Sequence, residues 1–354
     1  MWDFFCNFAG DFEYKEQMKR NIAIIAGGDS SEHEVSLRSA AGLYSFMDKD
    51  RYNVTIVVLK GRDWHTQEGE PIDKNDFSFT RAGVKHTFDF AYITIHGTPG
   101  ENGILQGYLD LIGLPYSCCG VLAASLTFNK FACNHYLSAF GIRISPSILL
   151  RNTEYRIQRT DRIRERIVKE LGLPCFIKSN VGGSSFGCTK VKTEEEIIPA
   201  IERAFEEGDE VICEAFMKGT EVTCGVYKTR NKAVAFPITE VVTKNEFFDY
   251  DAKYKGQVDE ITPARIPDEV RDRIQAATLR IYDIIGANGI IRVDWIITGL
   301  QNTEYRVQTE LPQINLLEVN TTPGMTPTSF IPQQVRAAGL DIKDVLTDII
   351  ENKF

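Results

Sequence analysis

Two short apolar segments near the C-terminal end carry charged or amide side chains at alternate positions. The first is Arg292-Val293-Asp294, within GIIRVDWIIT, and the second is Glu318-Val319-Asn320, within INLLEVN. Because alternate residues of a β-strand point to the same face, each pair of polar side chains shares one side of its strand. Charges set in apolar strands are costly unless they are paired or bound to a metal, so a surface ladder of salt bridges fits poorly. If the two strands are neighbours, these side chains form an oxygen-rich site of the kind that suits Mg²⁺.

Length and charge limit the class of protein. The 354 residues are too many for one ordinary core and predict two or three domains. The net charge of -9 argues against nucleic acid or an anionic membrane as the main partner, although a local lysine cluster could still bind phosphate. No apolar run approaches the roughly 20 residues that span a bilayer, which predicts no membrane insertion. The eight cysteines show no C-x-x-C spacing and indicate reduced, buried thiols, so a cytoplasmic protein is expected.

Strand and helix patterns alternate in the first third of the chain. Residues 1–17 lack the features of a signal peptide, and residues 1–20 are predicted to be a poorly ordered extension, with a mis-called start codon before Met18 as the alternative. Apolar runs at 22–26, 53–59 and 88–95 predict buried strands, with a helical pattern at about 33–47 between the first two and another after Gly103. This alternation predicts an α/β domain with a parallel sheet over residues 21–118.

The rest of the chain has a mixed α+β pattern. A helix at about 129–140, a strand at 174–179 and an amphipathic helix at about 194–206 fall in a predicted central subdomain, residues 119–217. Strands dominate the predicted C-terminal subdomain, residues 218–354, which contains both polar segments described above.

Two lysines and a glycine-rich loop are candidates for phosphate binding. Lys130 opens a predicted helix, and Lys178 ends the strand CFIK just before the loop Val181–Gly187. A lysine at such a turn can act as a phosphate point charge, and the loop offers backbone N–H donors. The loop does not end in the Gly-Lys-Ser/Thr of a Walker A motif. Taken singly, an ordinary solvated lysine and a plain β-hairpin turn remain the alternatives.

Two further loops follow predicted strands of the first domain. Gly27-Gly28 and the residues after it lack the G-x-G-x-x-G spacing, which argues against NAD. The position at the carboxyl end of a strand still marks a ligand-facing loop. Glu32 could therefore hold a cationic amine, or could be a stabilising charge at a helix N-terminus. His96 ends the strand of residues 88–95 in the same way and could also be a satisfied buried histidine.

Taken together, these segments resemble the D-alanine–D-alanine ligase family of the ATP-grasp superfamily. The resemblance runs from about residue 21 to residue 350 and rests on ordered motifs: GGDSSEHEVSLRSA, HG-x-x-GE-x-G-x-LQG, the GGSSFG loop, DYDAKY, GIIRVDW and E-x-N-x-x-PGMT. It implies a three-part ATP-grasp architecture with α/β and α+β regions and an N-terminal parallel-sheet domain. A nucleotide would lie between the central and C-terminal subdomains.

The resemblance also implies a reaction. Two D-alanines would be joined for peptidoglycan precursor synthesis, with ATP cleaved to ADP and phosphate through an acyl phosphate of the first D-alanine. A D-alanine–D-lactate ligase and another ATP-grasp carboxylate–amine ligase remain alternatives, as does a catalytically dead nucleotide-binding protein. Relatives that make D-alanine–D-lactate usually replace the lid tyrosine, which is present here as Tyr254, so the dipeptide is the expected product. The resemblance also implies a homodimer.

Roles for the nucleotide and metal sites follow from the resemblance. ATP contacts are implied for Lys130, Lys178, Ser185, Glu214, Phe216, Met217, Glu221 and Lys253. Two Mg²⁺ or Mn²⁺ ions would be held by Asp294, Glu318 and Asn320.

Roles for the substrate site are implied in the same way. Glu32 would hold the ammonium of the first D-alanine, His96 would lie beside the substrate, and Ser329 would bind the second carboxylate. Ser184 and Tyr254 would connect to Glu32 and close a lid at about 240–260. Arg292 and the backbone N–H of Gly324 would stabilise the oxyanion. Phe330 stands where an aliphatic residue is common in the family.

Overall fold

The structure is a computed structural model that describes residues 19–157, 159–183, 187–243, 258–300 and 311–354. Within those ranges it contains four β-sheets with helices packed against them. No helix in the same ranges is long and apolar enough to cross a membrane. The predictions for residues 1–18, and those for Ser184, Ser185, Lys253 and Tyr254, lie outside the described residues.

The N-terminal region is built on a mostly parallel sheet. Its elements are β1 (Arg20–Gly27), α1 (His33–Phe46), β2 (Tyr52–Lys60), β3 (Asp63–Thr66), β4 (Ile72–Asp73), β5 (Ser78–Arg81), β6 (Val84–His86), β7 (Phe90–Ile93) and α2 (Ile104–Ile112). β1 pairs in parallel with both β2 and β7, which confirms the predicted parallel sheet. The run 22–26 is buried on both faces, as expected of a central parallel strand.

Two features of this region differ from the sequence prediction. β3 adds to the sheet as an antiparallel edge strand, so the sheet is mixed. β4, β5 and β6 form a separate three-stranded sheet that the periodicity did not indicate. These strands span two to four residues, too few for an alternating pattern to stand out. The small sheet is anchored instead by single buried aromatic residues, Phe77 and Phe79.

The central region forms a four-stranded antiparallel sheet covered by helices. Its elements are α3 (Val121–Phe128), α4 (Lys130–Ser138), β8 (Ser147–Arg151), α5 (Asn152–Tyr155), α6 (Thr160–Leu171), β9 (Cys175–Ser179), β10 (Thr189–Val191), α7 (Ile197–Phe205) and β11 (Glu210–Ala215). The strand order is β10-β9-β11-β8. The predicted amphipathic helix is confirmed as α7, which packs Ile197, Ile201 and Ala204 into a core shared with α6 and the sheet.

The C-terminal region is a larger antiparallel sheet. Its elements are β12 (Thr220–Lys228), β13 (Ala233–Ala235), β14 (Thr239–Thr243), β15 (Val258–Ile261), α8 (Asp268–Ile284), β16 (Ile290–Thr298), β17 (Gln313–Asn320), α9 (Phe330–Ala337) and α10 (Ile342–Glu351). The run AVAFPITEVV, predicted as one strand, is divided into β13 and β14 around Pro237, which has no N–H to donate to a ladder. β16 and β17 pair as neighbours, so the condition placed on the two polar segments is confirmed.

The N-terminal sheet and the C-terminal region share one hydrophobic core. Ile22 and Ile24 of β1 pack in the same cluster as Ile331 of α9 and Leu346 of α10. The central sheet with α6 and α7, in contrast, has a core of its own, from Ile148 to Cys213, whereas α3 and α4 contribute Ala123, Cys133 and Leu137 to a core of the C-terminal sheet. The first and third regions therefore act as one support for the cleft between the three regions.

Candidate active site

A cleft of about 1340 Å³ lies where the three regions meet. It is lined by the loops after β1 and β7, the glycine-rich loop after β9, the end of β11, and the strands β12, β16 and β17. The segment from Thr321 to Phe330, which follows β17, closes another side. Every predicted site residue that the structure describes lines this cleft. The site is therefore assembled from loops at strand ends and from the polar faces of two strands.

Asp294 is at the centre of the paired strands. In the ladder, Asp294 is opposite Glu318 and Arg292 is opposite Asn320. Arg292 donates two hydrogen bonds to Asp294, from Nε to Oδ1 and from Nη2 to Oδ2, both at 2.9 Å. Asn320 Nδ2 donates to Asp294 Oδ2 at 3.0 Å. The side chains predicted to share a face do converge, and Arg292 is the charge partner of Asp294.

A further donor to Asp294 was missed in the sequence. Thr223 on β12 pairs directly with Asp294 across the ladder, and its hydroxyl donates to Oδ1 at 2.5 Å. Thr223 is two residues from Glu221, a predicted site residue on the same strand. The period of two could therefore have identified it. Burial disfavours the charged form of Arg292, but Asp294 outweighs this effect, so the pKa of Arg292 is raised.

The two predicted phosphate lysines face the cleft and each contacts a carboxylate. Burial alone would lower the pKa of Lys178, but Glu214 on β11 lies 2.6 Å from its Nζ and raises that pKa overall. Lys130, at the start of α4, donates to the carbonyl of Gly182 at 2.5 Å and lies 3.6 Å from Glu318 Oε1. Lys130 thus connects the glycine-rich loop to β17.

The strands before and after the glycine-rich loop, β9 and β10, pair antiparallel, which is the strand arrangement that the hairpin alternative requires. Val181, Gly182 and Gly183 at the start of this loop line the cleft. Gly183 lies so close to Glu32 that a Cβ built on it would be 2.5 Å from Oε2. The loop beside Lys178 therefore reaches directly to the carboxylate predicted to hold an ammonium group.

Glu32 and His96 lie together on the N-terminal side of the cleft. Glu32 occupies the N-cap position of α1, yet among the described residues its side chain makes no capping hydrogen bond to that helix. His96 is buried, with Nε2 3.4 Å from the hydroxyl of Ser39. Burial lowers the pKa of His96, and nearby Glu32 opposes that shift. The two side chains therefore interact electrostatically on the same side of the cleft.

The aromatic end of the cleft is formed by Phe216 after β11. Its ring lies 6.0 Å from that of Phe176 on β9, and Lys190 Nζ is 4.2 Å from its centroid. Met217 and Glu221 line the same end. A flat apolar surface with a cation above it can accept a planar ring.

The segment after β17 forms the opposite wall. The hydroxyl of Ser329 accepts from the backbone N–H of Thr326 at 3.1 Å and lies 2.7 Å from Thr326 Oγ1. Gly324 is close enough that a Cβ built on it would be 3.0 Å from Ser329 Oγ. Phe330 packs under Arg292, with the guanidinium 5.2 Å from the ring centroid. The ring of Phe330 therefore contacts a predicted catalytic group.

Glu101 is the other residue that the sequence analysis did not select. It accepts from the N–H of Gly97 at 2.8 Å and from Thr322 Oγ1 at 2.6 Å. Burial and the nearby carboxylates of Glu32 and Glu318 raise its pKa to about 7. The available signal was a carboxylate inside the quoted HG-x-x-GE motif, at the carboxyl end of a parallel strand.

The polar face of β16 and β17 matches a magnesium site in its chemistry. Within the described ranges, no three His, Cys, Asp or Glu side chains group together as metal ligands. The candidate set is instead two carboxylates and one amide, Asp294, Glu318 and Asn320, all oxygen-bearing groups that suit Mg²⁺. Thr223, Arg292 and Asn320 already donate four hydrogen bonds to Asp294. A half-turn of the Asn320 amide would direct its carbonyl to the site in place of its N–H donor.

Two antiparallel sheets enclose the cleft, with Lys178 on one and Asp294 and Glu318 on the other, and both adjoin an N-terminal region with a mostly parallel sheet. This arrangement is that of the ATP-grasp class. Family models described as the N-terminus and the C-terminus of D-ala D-ala ligase match residues 21–119 and 136–351. The chain belongs to the D-alanine–D-alanine ligase family.

Individual relatives support the same assignment. A D-alanine–D-alanine ligase of Bacteroides fragilis is 65% identical over 341 residues, covering 95% of this chain and 100% of the relative. The crystal structure of D-alanyl-alanine synthetase A from Vibrio cholerae has a TM-score of 0.81 at 29% identity and covers 94% and 98% of the two chains. A D-alanine–D-alanine ligase from Bacillus anthracis complexed with ATP has a TM-score of 0.71 at 28% identity, covering 94% and 97%.

Proposed function

We propose that this protein joins two D-alanines to D-alanyl-D-alanine, with cleavage of ATP to ADP and phosphate, for peptidoglycan precursor synthesis. The observation that carries the proposal is the contact between Gly183 and Glu32. This contact places the glycine-rich loop, which could cover the phosphates of ATP, next to the carboxylate of Glu32, which could bind an ammonium group. A substrate that bears both a carboxylate and an ammonium can then bind Glu32 while its carboxylate faces the nucleotide.

The lysines serve the first step. Lys130 and Lys178 supply positive charge to the phosphates as the carboxylate of the first D-alanine attacks the γ-phosphate. The products of this step are ADP and the acyl phosphate. Glu214, Phe216, Met217 and Glu221 hold the nucleoside end, which agrees with the aromatic and acidic character of that end of the cleft.

The second step is attack by the amine of the second D-alanine on the acyl phosphate carbon. Phosphate leaves, and the amine loses a proton as the peptide bond forms. Arg292 and the N–H of Gly324 stabilise the oxyanion of the tetrahedral intermediate. Ser329 holds the second carboxylate, and His96 lies beside the substrates. Ser184 and Tyr254 are assigned to the lid network, and Ser185 and Lys253 to ATP, on the resemblance alone.

Asp294, Glu318 and Asn320 are proposed to hold two Mg²⁺ or Mn²⁺ ions. When bound, such ions neutralise phosphate charge and orient the γ-phosphate. The half-turn of the Asn320 amide keeps the donor set compatible with this role. We place the reaction in the cytoplasm, where ATP is available, and the described cysteines are free thiols, as a reducing compartment requires.

A direct assay tests the reaction. The protein is supplied with ATP, Mg²⁺ and D-alanine, with and without D-lactate, and phosphate release is measured while the product is identified by mass. D-alanyl-D-alanine is expected, with little depsipeptide at neutral pH. A product that contains lactate, or phosphate release without ligation, would contradict the proposal.

The role of Glu32 has a matched control on the same helix. Glu32→Gln removes the charge that holds the first ammonium, whereas Glu34→Gln alters an exposed carboxylate two residues further along α1. Glu32→Gln is expected to raise the KM for the first D-alanine and to lower kcat/KM by about 10- to 100-fold, the range of a lost hydrogen bond to a charged group. Glu34→Gln is expected to behave as the wild type. Equal effects of the two variants on kcat/KM would contradict the assignment of Glu32 to the substrate site.

A homodimer is proposed through the outer face of α2 and α3. Ile104 and Leu111 on α2 and Leu122 on α3 are 62%, 88% and 80% exposed. Two-fold symmetry allows one such patch to pair with its copy and cover these side chains. Leu111→Glu is expected to give a monomer by light scattering, while Ile157→Glu, at a similarly exposed site between α5 and α6 of the central region, leaves the dimer intact. A wild-type protein that is monomeric at micromolar concentration would contradict this proposal.

A further inference from the structure

The segment that presents Gly324 is held in place by the N-terminal region. Thr322, two residues earlier, donates its hydroxyl hydrogen to Glu101 Oε1 at 2.6 Å. The other oxygen of Glu101 accepts from the backbone N–H of Gly97 at 2.8 Å. Glu101 therefore joins the loop after β7 to the segment after β17, although the two are more than 200 residues apart in the chain.

Helix α1 makes a second contact with the segment that presents Gly324. The backbone N–H of Met325 lies 3.5 Å from Ser39 Oγ. Gly42 on the same helix is so close that a Cβ built on it would be 2.4 Å from the carbonyl oxygen of Met325. Gly324 is thus held between two contacts, one at Thr322 and one at Met325, and both come from the N-terminal region.

The electrostatic position of Glu101 is unfavourable. It is partly buried and shares its surroundings with the carboxylates of Glu32 and Glu318, while Arg292 is the nearby cation. A buried carboxylate among other carboxylates raises the free energy of the ionised form. A neutral side chain at this position would avoid that electrostatic cost. A carboxylate has two oxygens, so it can accept one hydrogen bond from each of the two loops at the same time.

We propose that Glu101 is a positioning residue for the acyl-transfer step. It acts through Thr322 by fixing the segment that directs the Gly324 N–H to the oxyanion. This inference rests on the proposed ligation reaction, in which that N–H acts only after the acyl phosphate has formed. Displacement of an oxyanion donor by a fraction of an ångström lowers kcat far more than it changes nucleotide binding.

A double-mutant cycle on the full-length protein tests the proposal. Glu101→Gln leaves one acceptor oxygen in place of two, and Thr322→Val removes the hydroxyl without changing the shape of the side chain. Each is expected to lower the kcat of dipeptide formation by roughly 10- to 100-fold, with the KM for ATP within about twofold of wild type. The double variant is expected to be no slower than the slower single variant, because both remove one interaction. Thr322→Ser, which keeps the hydroxyl, is expected to restore most of the activity.

Two further measurements separate positioning from damage. Asn102→Ala is the matched control, because Asn102 is next to Glu101 and bonds only within its own loop, to Thr98 Oγ1 and the N–H of Ile104, among the contacts described for its side chain. It is expected to retain kcat. Isotope scrambling between the β,γ-bridging and non-bridging oxygens of ATP, measured with D-alanine present, is expected to continue in Glu101→Gln because the first step is spared.

Several outcomes would overturn the proposal. Independent, multiplicative effects of the two single variants would show that Glu101 does not act through Thr322. An equal loss in Asn102→Ala, or loss of isotope scrambling in proportion to ligation, would have the same consequence. A wild-type protein that forms no dipeptide would contradict the proposed function itself. Dipeptide formation by the wild type with an additive cycle would contradict only this inference.

Discussion

Asp294 and Glu101 are two partly or fully buried carboxylates in the same cleft, held in opposite ways. Asp294 lies on a strand and accepts four hydrogen bonds, two of them from Arg292. Glu101 lies on a loop, accepts two hydrogen bonds from neutral groups and has a pKa raised to about 7. The negative charge of Asp294 is balanced by Arg292, whereas the nearby carboxylates disfavour the negative charge of Glu101. The difference indicates that the sheet holds its charged groups in stable pairs, while the loops hold theirs by contacts that position other segments.

The largest effect is expected from Asp294→Asn. This change leaves the Arg292 guanidinium buried without its carboxylate, and loss of one partner of a buried ion pair costs about 3–5 kcal/mol. Urea unfolding should show that loss, and dipeptide formation should fall below detection because a predicted metal ligand is also removed. A variant that unfolds at the wild-type urea concentration would show that the strand carboxylate is not the stabilising element described above.

In contrast to Asp294→Asn, Glu101→Gln is expected to be more stable to unfolding than the wild type at high pH. The unfolded chain ionises Glu101 near the ordinary value of 4.5, while the folded protein does so near 7. Between these values the folded state binds more protons, so a rise in pH lowers the stability of the wild type. Glu32, Glu318 and Arg292 are the charged groups that face Glu101.

The glutamine variant should lack this loss, which is on the order of 3 kcal/mol between pH 4 and pH 8. The measurement is the free energy of unfolding of both proteins across that range. Parallel curves for wild type and variant would refute the raised pKa of Glu101.

The smallest effect is expected from Thr223→Val. This removes one of four hydrogen bonds to Asp294 and keeps the shape of the side chain, so a loss of about 1 kcal/mol is expected. The ladder between β12 and β16 should persist, because it is formed by the backbone. Chemical denaturation gives the loss directly, with Thr223→Ser as the control that keeps the hydroxyl. If Thr223→Val lost as much free energy of unfolding as Asp294→Asn, the Thr223 hydroxyl alone, and not all the donors together, would stabilise the charge of Asp294.

The sequence identified the sheet platform better than the loop contacts, for a physical reason. Alternation along a strand is local, so Arg292, Asp294, Glu318 and Asn320 could be assigned to shared faces before their pairing was known. The contact of Glu101 with Thr322 depends on how distant loops meet, and no local period encodes it. The family motifs placed Glu101 near the site without indicating its partner.

Other differences in the fold are local. No helix was predicted at α6, although Ile163, Ile167 and Leu171 recur every four residues along it and pack on the central core. β4 to β6 are too short to show a period. Pro237 ended a run that hydropathy alone treated as continuous.

The core that β1 shares with α9 and α10 has an evolutionary consequence. Residues 21–119 match a family model of their own, yet one of the two apolar faces of their sheet packs in a core that includes helices from the last 25 residues of the chain. A recombination event that exchanged only the N-terminal segment between two distant relatives would bring together surfaces that had not changed in concert. The first and last segments of this chain should therefore be inherited as a pair, while the central sheet, which has its own core, is the part that could be replaced alone.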